Sequence, residues 1–215
     1  MPVYFKDKIS SQDMTQLIVT LDYELYFGKI TGTVAGCMIE PTNKIRKVIE
    51  EHSGHMTIFW DVLHYFRLKQ LADQHKQLLQ DSIDIENQLI SLLQSGHDVQ
   101  FHFHPHWYNA LYDGNWIIND KYYAPRDIKD SNTLQLLFSG CVNCIENIYH
   151  RASRRWEIRV YRAGGWQIQP FSILTDLFNI HNIQIDSSVM PGKERNTPPI
   201  VYDFLHCKET TYKFD

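Results

Sequence analysis

An α/β fold built around a parallel β-sheet is predicted by the way in which apolar segments alternate along the chain. Five apolar runs are too short for helices and are rich in β-branched or aromatic residues, so each is expected to form a buried strand. These runs cover residues 16–21, 56–60, 98–102, 158–162 and 183–186. Segments with helical periodicity separate them. Strands that alternate with helices imply a parallel sheet, open or closed into a barrel, with both faces covered.

The helical segments in the first half of the chain have recognisable ends. Thr42 is expected to cap the first helix, which Gly54 ends. A second helical stretch follows Asp61, and a third covers residues 82–94 before Gly96, which is placed to cap its C-terminus. The predicted helices therefore fill the connections between the first three strands, as parallel pairing requires.

The second half of the chain combines a long loop with two more helices. Residues 105–130 are rich in Trp, Tyr, Asn, Asp and Gly without clear periodicity, which predicts a loop. Compact domains usually keep loops of this length for function. A helix is expected over residues 132–152, and Pro170 is placed to begin another that runs to Asn179.

Length, charge and composition narrow the class of protein. At 215 residues and 25.4 kDa the chain is long enough for one sizeable core, so we expect a single domain over residues 1–215. The net charge of -4 provides no basic stripe for phosphate groups, which argues against nucleic acid as the main partner. The first residues lack the pattern of a signal peptide and no stretch reaches membrane-spanning length, so a cytoplasmic location is expected.

Titratable side chains collect at the carboxyl ends of the predicted strands. In α/β folds the active site gathers at this edge of the sheet, whereas surface charges are expected on helix faces and loops. The residues concerned are Asp22, Glu24, Asp61, His102, His104, His106, Arg162 and Asp186. Their shared position predicts one functional site.

Three histidines, His102, His104 and His106, directly follow a predicted strand. Imidazole is a common zinc ligand, so the cluster predicts a site for one divalent transition metal, with zinc the expected ion. His102 and His106 can converge on one ion if the chain turns at Pro105, and they are the expected ligands. His104 shares a face with His102 if the strand continues, and it is then either an alternative ligand or a hydrogen-bonding neighbour of the ligands.

A pair of carboxylates completes the predicted site. Asp22 and Glu24 flank Tyr23, so in an extended segment both project to the same side. One of them can complete a zinc site while the other accepts a proton from water. Arg162, at a neighbouring strand end, is expected to keep a carboxylate ionised through a charge-assisted hydrogen bond.

The order of these segments resembles that of the polysaccharide deacetylase family, which includes chitin, chitooligosaccharide and peptidoglycan deacetylases. VTLDYE occupies the position of the family's Thr-Phe-Asp-Asp-Gly motif, and GHDVQFHFHPH resembles its His-Ser/Thr-x-x-His motif with a Gly-His lead-in. The resemblance implies that Asp22 is the catalytic base. It implies that the metal ligands are Glu24, displaced by one position from the family pattern, together with His102 and His106.

Later motifs extend the resemblance over residues 16–192. YRAGGW resembles the third motif without its usual Pro, which implies that Arg162 orients the base, and IDSSVMPG resembles the fourth, in which Asp186 lines the site. The family takes its general acid from a Leu-x-His motif. Here the acid is either His206, which directly follows Leu205, or a residue beyond the end of this sequence. The resemblance implies an incomplete, seven-stranded β/α barrel.

The function implied by the resemblance is metal-dependent removal of an acetyl or similar acyl group from an N-acetylated sugar or polysaccharide precursor. Residues expected to bind this carbohydrate substrate or to support the ligands are Asp61, His104, Trp107, Trp116, Trp166 and Asp186. Trp107 and Trp116 lie in the long loop, where their rings can stack on a sugar. Two alternatives stay open: a metal-dependent amidohydrolase acting on another amide, and a catalytically impaired, metal-containing sugar-binding domain.

Overall fold

A computed structural model describes residues 17–210 and has a mixed α/β fold, as the alternation of segments predicts. In chain order the strands are β1 (Val19–Tyr23), β2 (Met56–Asp61), β3 (Asp98–Phe103), β4 (Leu111–Tyr112), β5 (Trp116–Ile117), β6 (Val160–Ala163), β7 (Ile185–Asp186), β8 (Glu194–Thr197) and β9 (Ile200–Asp203). The helices are α1 (Glu40–Glu51), α2 (Val62–Leu71), α3 (Lys76–Gln94), α4 (Ser131–Arg151) and α5 (Thr175–Ile180). The predicted first strand began at residue 16, which lies outside the described residues.

The central sheet has five parallel strands in the order β1-β2-β3-β6-β7, which is also their order in the chain. The expected seven-stranded barrel is not seen within residues 17–210. Instead of adding strands to this sheet, β8 and β9 pair with each other as an antiparallel hairpin. All four residues of β8 are polar and exposed, and such a segment cannot form a strand that is buried on both faces.

The two faces of the sheet carry different side chains because residues alternate along each strand. On one face Phe101 and Tyr161 contact Phe138 of α4, and this aromatic group belongs to the hydrophobic core. The opposite face carries the neighbours that alternate with them, His102 and Arg162, which pair in register across β3 and β6. The polar groups at the strand ends therefore lie on the face opposite α4.

The first helical region begins earlier than the sequence predicts. A π-helical turn over Val34–Ile39 leads directly into α1, and the Thr33 hydroxyl accepts a hydrogen bond from the Gly36 backbone N–H at 3.0 Å. Thr33 therefore caps this region, and the prediction that Thr42 caps it is wrong because Thr42 is buried within α1. The helix ends at Glu51, three residues before Gly54.

The end of α3 is the one that Gly96 predicts. Gly96 has a positive φ of 91°, and its N–H donates to the Leu93 carbonyl at 3.0 Å. The next N–H, that of His97, donates to the Leu92 carbonyl at 3.1 Å. This pair of hydrogen bonds is the Schellman arrangement, in which glycine adopts the left-handed conformation without steric cost. It turns the chain directly into β3, which carries the histidines.

The long loop over residues 105–130 is more ordered than its composition predicts. It contains a 3₁₀ turn over Pro105–Trp107 and an antiparallel hairpin formed by β4 and β5. The Trp116 ring packs edge-on against Trp107 and Tyr112, with ring centroids 5.3 and 5.2 Å away. The hairpin is therefore held to the end of the sheet. Among the described residues, no helix combines the length and the apolar character needed to cross a lipid bilayer.

Candidate metal centre

The candidate site lies where β1, β2, β3 and β6 end. Strand register places Asp61, His102 and Arg162 side by side on three neighbouring strands. Glu24 directly follows β1, and its carboxylate reaches the same group from the sheet edge. Parallel pairing thus brings together titratable residues that are far apart in the sequence. Glu24 and His102, for example, are 78 positions apart.

Three side chains converge closely enough to hold one metal ion: Glu24, His102 and His104. The Glu24 Oε2 atom is 3.0 Å from His102 Nε2 and 2.8 Å from His104 Nε2. The two Nε2 atoms are 3.0 Å from each other. Both histidines are buried, and Glu24 is half-buried. One oxygen and two nitrogens therefore point at a common position.

The His102 ring is fixed by a hydrogen bond on its far side. Its Nδ1 atom lies 2.8 Å from the Arg162 backbone carbonyl. Because a carbonyl oxygen can only accept, Nδ1 carries the proton and donates it to this bond. Nε2, on the side of Glu24 and His104, donates to Glu24 when the ring is protonated and offers its lone pair to a metal ion when the ring is neutral. Histidines that bind metals are oriented by second hydrogen bonds of this kind.

The His104 ring is held by packing instead. It stacks on Phe27, with ring centroids 4.0 Å apart, and its Nδ1 atom is buried without a hydrogen-bond partner among the described residues. A Cβ atom at Gly164 would lie 2.4 Å from that Nδ1. Gly164 of the YRAGGW segment therefore leaves the space that the His104 ring occupies.

His106 lies beside the cluster and not in it. The 3₁₀ turn that begins at Pro105 directs its ring against Tyr123 and Phe27, at centroid distances of 4.6 and 5.1 Å. Its ring centroid is 5.7 Å from that of His104. The structure thus groups His104 with His102, where the family resemblance implies His106. The reason is that the chain stays extended through His104, so residues two apart share a face.

Asp22 and Arg162 form an ion pair next to the cluster. The Arg162 guanidinium donates to Asp22 Oδ1 at 2.6 Å, as the sequence predicts, and lies over the Phe59 ring at 3.6 Å. The same guanidinium lies 3.2 Å from the hydroxyls of Thr20 and Ser187. Asp22 Oδ2 is 4.0 Å from His102 Nε2, farther than Glu24 is. Asp22 is therefore a neighbour of the cluster with a free oxygen.

The charges of the cluster shift the pKa values of its members. Burial by itself raises the pKa of Glu24, but hydrogen bonds from His102 and His104 outweigh it and hold that pKa well below its usual range. Burial lowers the pKa of His102, but the hydrogen bond to Glu24 and the charge of Asp22 outweigh it, so the pKa is raised. Glu24 is consequently ionised and ready to bind a cation.

Asp61 lies next to the cluster and binds the backbone of His104. Its carboxylate is fully buried and accepts hydrogen bonds from the His104 backbone N–H and from Trp107 Nε1. Burial raises the pKa of Asp61 to about 6, although the nearby His104 and His102 oppose the rise. Trp107 is 0% exposed, so its ring supports the site and cannot stack on a sugar, contrary to the expectation for the loop.

Three other predicted residues lie away from the cluster. Asp186 pairs in register with Tyr161, so its side chain is on the face that carries Tyr161, and its neighbour Ser187 contacts Arg162. Trp166 follows β6 and is 45% exposed. His206 is exposed after β9 and makes no hydrogen bond or ion pair with the cluster within residues 17–210.

A cavity of 690 Å³ opens beside the cluster. His104 and His106 line it, and so does Trp116, of which 7% is exposed. Gly164 of the YRAGGW motif also lines the cavity, together with Phe27 and Tyr123, which no motif predicts. The sequence signals for these two are that Phe27 follows Glu24 by three residues and that Tyr123 lies in the long loop after the histidines.

Comparison of the chain with protein-family models, with curated proteins and with solved structures gives no match. The resemblance to polysaccharide deacetylases therefore stays a prediction carried by the motifs themselves.

Proposed function

We propose that this protein is a metal-dependent hydrolase that removes an acyl group from an N-acylated sugar or a related amide. The observation that carries the proposal is the convergence of Glu24, His102 and His104 beside the Asp22–Arg162 ion pair. Metal-dependent hydrolases combine an ion held by histidine and carboxylate with a separate base. The motif resemblance supports the same chemistry.

The donor set suits a divalent transition metal, and zinc in particular. Ligands bound to a tetrahedral zinc at about 2.0–2.2 Å lie roughly 3.3 Å from one another. The ligand atoms of Glu24, His102 and His104 lie 2.8 to 3.0 Å apart, so a small expansion accommodates the ion. Three protein ligands leave a position for water or substrate, as in catalytic zinc sites.

Asp22 is the general base in this proposal. When bound, the metal supplies Lewis-acid polarisation of the carbonyl and lowers the pKa of water. The free Oδ2 atom of Asp22 faces the cluster, where it accepts the proton of the attacking water. Arg162 donates to Oδ1 and keeps the carboxylate in position. The exposed Trp166 offers a face on which a sugar ring can stack.

The proposed fold is the incomplete β/α barrel of the polysaccharide deacetylase type. Support comes from the order of the five parallel strands, which is sequential as in a barrel and does not reverse as in doubly wound sheets.

A metal-containing sugar-binding domain without activity is the second candidate. It is favoured by the position of His206, which is exposed and makes no hydrogen bond or ion pair with the cluster in the described part of the chain. Hydrolysis of an amide needs an acid for the leaving amine.

The first test measures metal content in purified variants. Wild type and His106→Ala should each bind one equivalent of zinc, whereas His102→Ala and His104→Ala should lose most of it because each removes a ligand. His150→Ala is the matched control, since that histidine is exposed on α4. Unchanged zinc content in His102→Ala and His104→Ala would rule out the proposed centre. Loss in His106→Ala with retention in His104→Ala would restore the ligand pair implied by the family.

The second test separates the enzyme from the binding domain. Zinc-loaded protein should release carboxylate from N-acyl glucosamine, and His102→Ala should not. Binding of the sugar with stoichiometric zinc but without release would support the second candidate.

A further inference from the structure

The cavity beside the cluster has walls that are mainly apolar. They come from five separate segments of the chain: the stretch after β1, the stretch after β3, the hairpin β4–β5 with the residues that follow it, the turn after β6, and β9. The apolar side chains that line the cavity are Phe27, Trp116, Ile117, Ile118, Tyr123 and Ile200. The cavity is therefore a built pocket and not a gap next to a single loop.

Few polar groups of the wall are free to bind hydroxyls. The Gln167 amide is largely used, because its oxygen accepts from Arg126 and from the Val201 backbone N–H, and one of its two N–H groups donates to the Tyr123 carbonyl. Lys29 and Asp120 also line the cavity, but both are exposed and so belong to its rim. Apart from these residues, His104, His106 and Tyr123 bring polar side-chain groups to the wall, so a sugar ring inside would lose hydration and gain few partners for its hydroxyls.

One member of the cluster reaches the cavity. His104 is both a lining residue and a member of the candidate metal centre. A carbonyl group at the metal would thus have the apolar walls beside it. Asp22 and Arg162 do not line the cavity and are accessible polar groups next to the cluster.

We propose that this cavity holds the acyl chain of the substrate, and that the substrate is an N-acyl sugar whose acyl group is several carbons longer than acetyl. The inference rests on the proposed function. A volume of 690 Å³ is in the range of pockets that enclose whole small ligands, about 300–1,000 Å³, and far exceeds what a methyl group fills. Hydrolysis breaks the amide C–N bond; the hydroxyl of water joins the acyl carbon and its proton joins the amine, giving a fatty carboxylate and an amino sugar.

Binding of an acyl series measures the pocket directly. N-acetyl-, N-butanoyl- and N-hexanoyl-glucosamine are titrated into the zinc-loaded full chain by calorimetry. Burying one methylene contributes about 0.8 kcal/mol, so affinity should rise about fourfold for each methylene added. Equal affinity across the series would overturn the inference, and so would failure of all three compounds to bind.

Two variants test whether the gain comes from this cavity. Ile118→Asn and Ile200→Asn put an amide into two separate segments of the wall, and each should reduce the preference for hexanoyl over acetyl at least tenfold. The second variant lies on a different hairpin and stands in if the first does not fold. Leu111→Asn is the matched control. Leu111 is exposed on β4, which pairs with β5, the strand that Ile118 follows, and it does not line the cavity. An undiminished preference in both wall variants would overturn the inference.

Hydrolysis measured on the same compounds distinguishes the two proposals. Chain-length-dependent binding without release of carboxylate would contradict the proposed function and leave the acyl pocket standing. Release from the acetyl compound with no preference for longer chains would support the hydrolase and contradict the pocket.

Discussion

Asp22 and Glu24 are two residues apart on one side of β1, yet their surroundings differ. Glu24 contacts the Nε2 atoms of His102 and His104 at 3.0 and 2.8 Å, whereas Asp22 is held by Arg162 and stays 4.0 Å from His102. Two carboxylates can divide the work of ligand and base only if their distances to the metal differ in this way. The longer side chain of Glu24 provides the additional reach.

This difference predicts separate effects of two isosteric substitutions. Asp22→Asn should retain zinc and lower kcat by roughly 10²–10⁴, because a general base is lost. Glu24→Gln should weaken zinc binding first. Zinc affinity and kcat are measured on both variants under the same conditions. Zinc lost from Asp22→Asn but kept by Glu24→Gln would exchange the two roles.

Gly164 predicts a positional effect on the cluster. An alanine Cβ there would lie 2.4 to 2.6 Å from three atoms of the His104 ring, so the ring, whose Nε2 is 2.8 Å from Glu24, must shift. Gly164→Ala should therefore weaken zinc binding at least tenfold. Gly165→Ala is the matched control: its Cβ meets nothing within 4 Å, and its φ of 57° costs about 1 kcal/mol of stability for a residue other than glycine. Equal zinc affinity in the two variants would contradict this account.

At the residue scale the sequence predicts which residues lie in the site better than it predicts their partners. Asp22, Glu24, His102 and Arg162 come together because strand ends of a parallel sheet meet at one edge. The place of His104 depends on where β3 stops being extended, which three histidines in alternate positions do not reveal. The face on which Asp186 lies depends on the register of β7, because a shift of one residue reverses the direction of a side chain.

At the element scale, hydrophobic runs predict the central strands, and local contacts decide the rest. The runs that form β2 and β3 are buried on both faces, a pattern that few other elements share. The strands of the hairpin β4–β5 have two residues each, too short for any periodicity to show. They form because Trp116 packs against Trp107 and Tyr112, and such contacts cannot be inferred from the sequence alone.

The packing of α2 against this loop predicts a pH dependence of stability. His64 on α2 is fully buried between Trp107 and Trp116, and neither of its ring nitrogens has a hydrogen-bond partner in the described part of the chain. Burial lowers the pKa of His64 from its ordinary value of 6.5 to about 3. The unfolded chain therefore binds a proton at pH values where the folded chain does not. Burial of neutral His64 therefore contributes fully to the free energy of unfolding above pH 6.5. Protonation of the unfolded chain removes this contribution as the pH falls toward 3.

Replacing His64 by Phe should remove this loss of stability at low pH. Phenylalanine keeps the ring packing and has no group to protonate. Between pH 7.5 and 5.5 the free energy of unfolding of the wild type should fall by about 1.4 kcal/mol more than that of His64→Phe. Urea unfolding of the zinc-free proteins measures both, with His150→Phe on the exposed side of α4 as the control. Parallel pH profiles for wild type and His64→Phe would contradict the prediction.

At the scale of the whole molecule, the candidate metal centre links strands that do not pair with each other. β1 is an edge strand that pairs only with β2 in the described sheet, and β3 lies beyond β2. Glu24 follows β1, and His102 belongs to β3, so an ion held by both would bridge the sheet across β2. In the described sheet the backbone of β1 has strand partners on one side only. Elements with few such contacts are among the first to unfold locally.

Zinc should therefore stabilise the whole domain and protect β1 most. A ligand that binds only the folded state at 100 times its Kd adds about 2.7 kcal/mol to the free energy of unfolding. Urea unfolding with zinc and with a chelator measures this gain, and amide hydrogen exchange shows which strands acquire protection. His102→Ala should show neither effect, because the bridge lacks its ligand from β3. If zinc stabilises His102→Ala as much as wild type, the ion binds elsewhere; if protection rises evenly over all strands and not first in β1, the bridge between the edge and the third strand does not form.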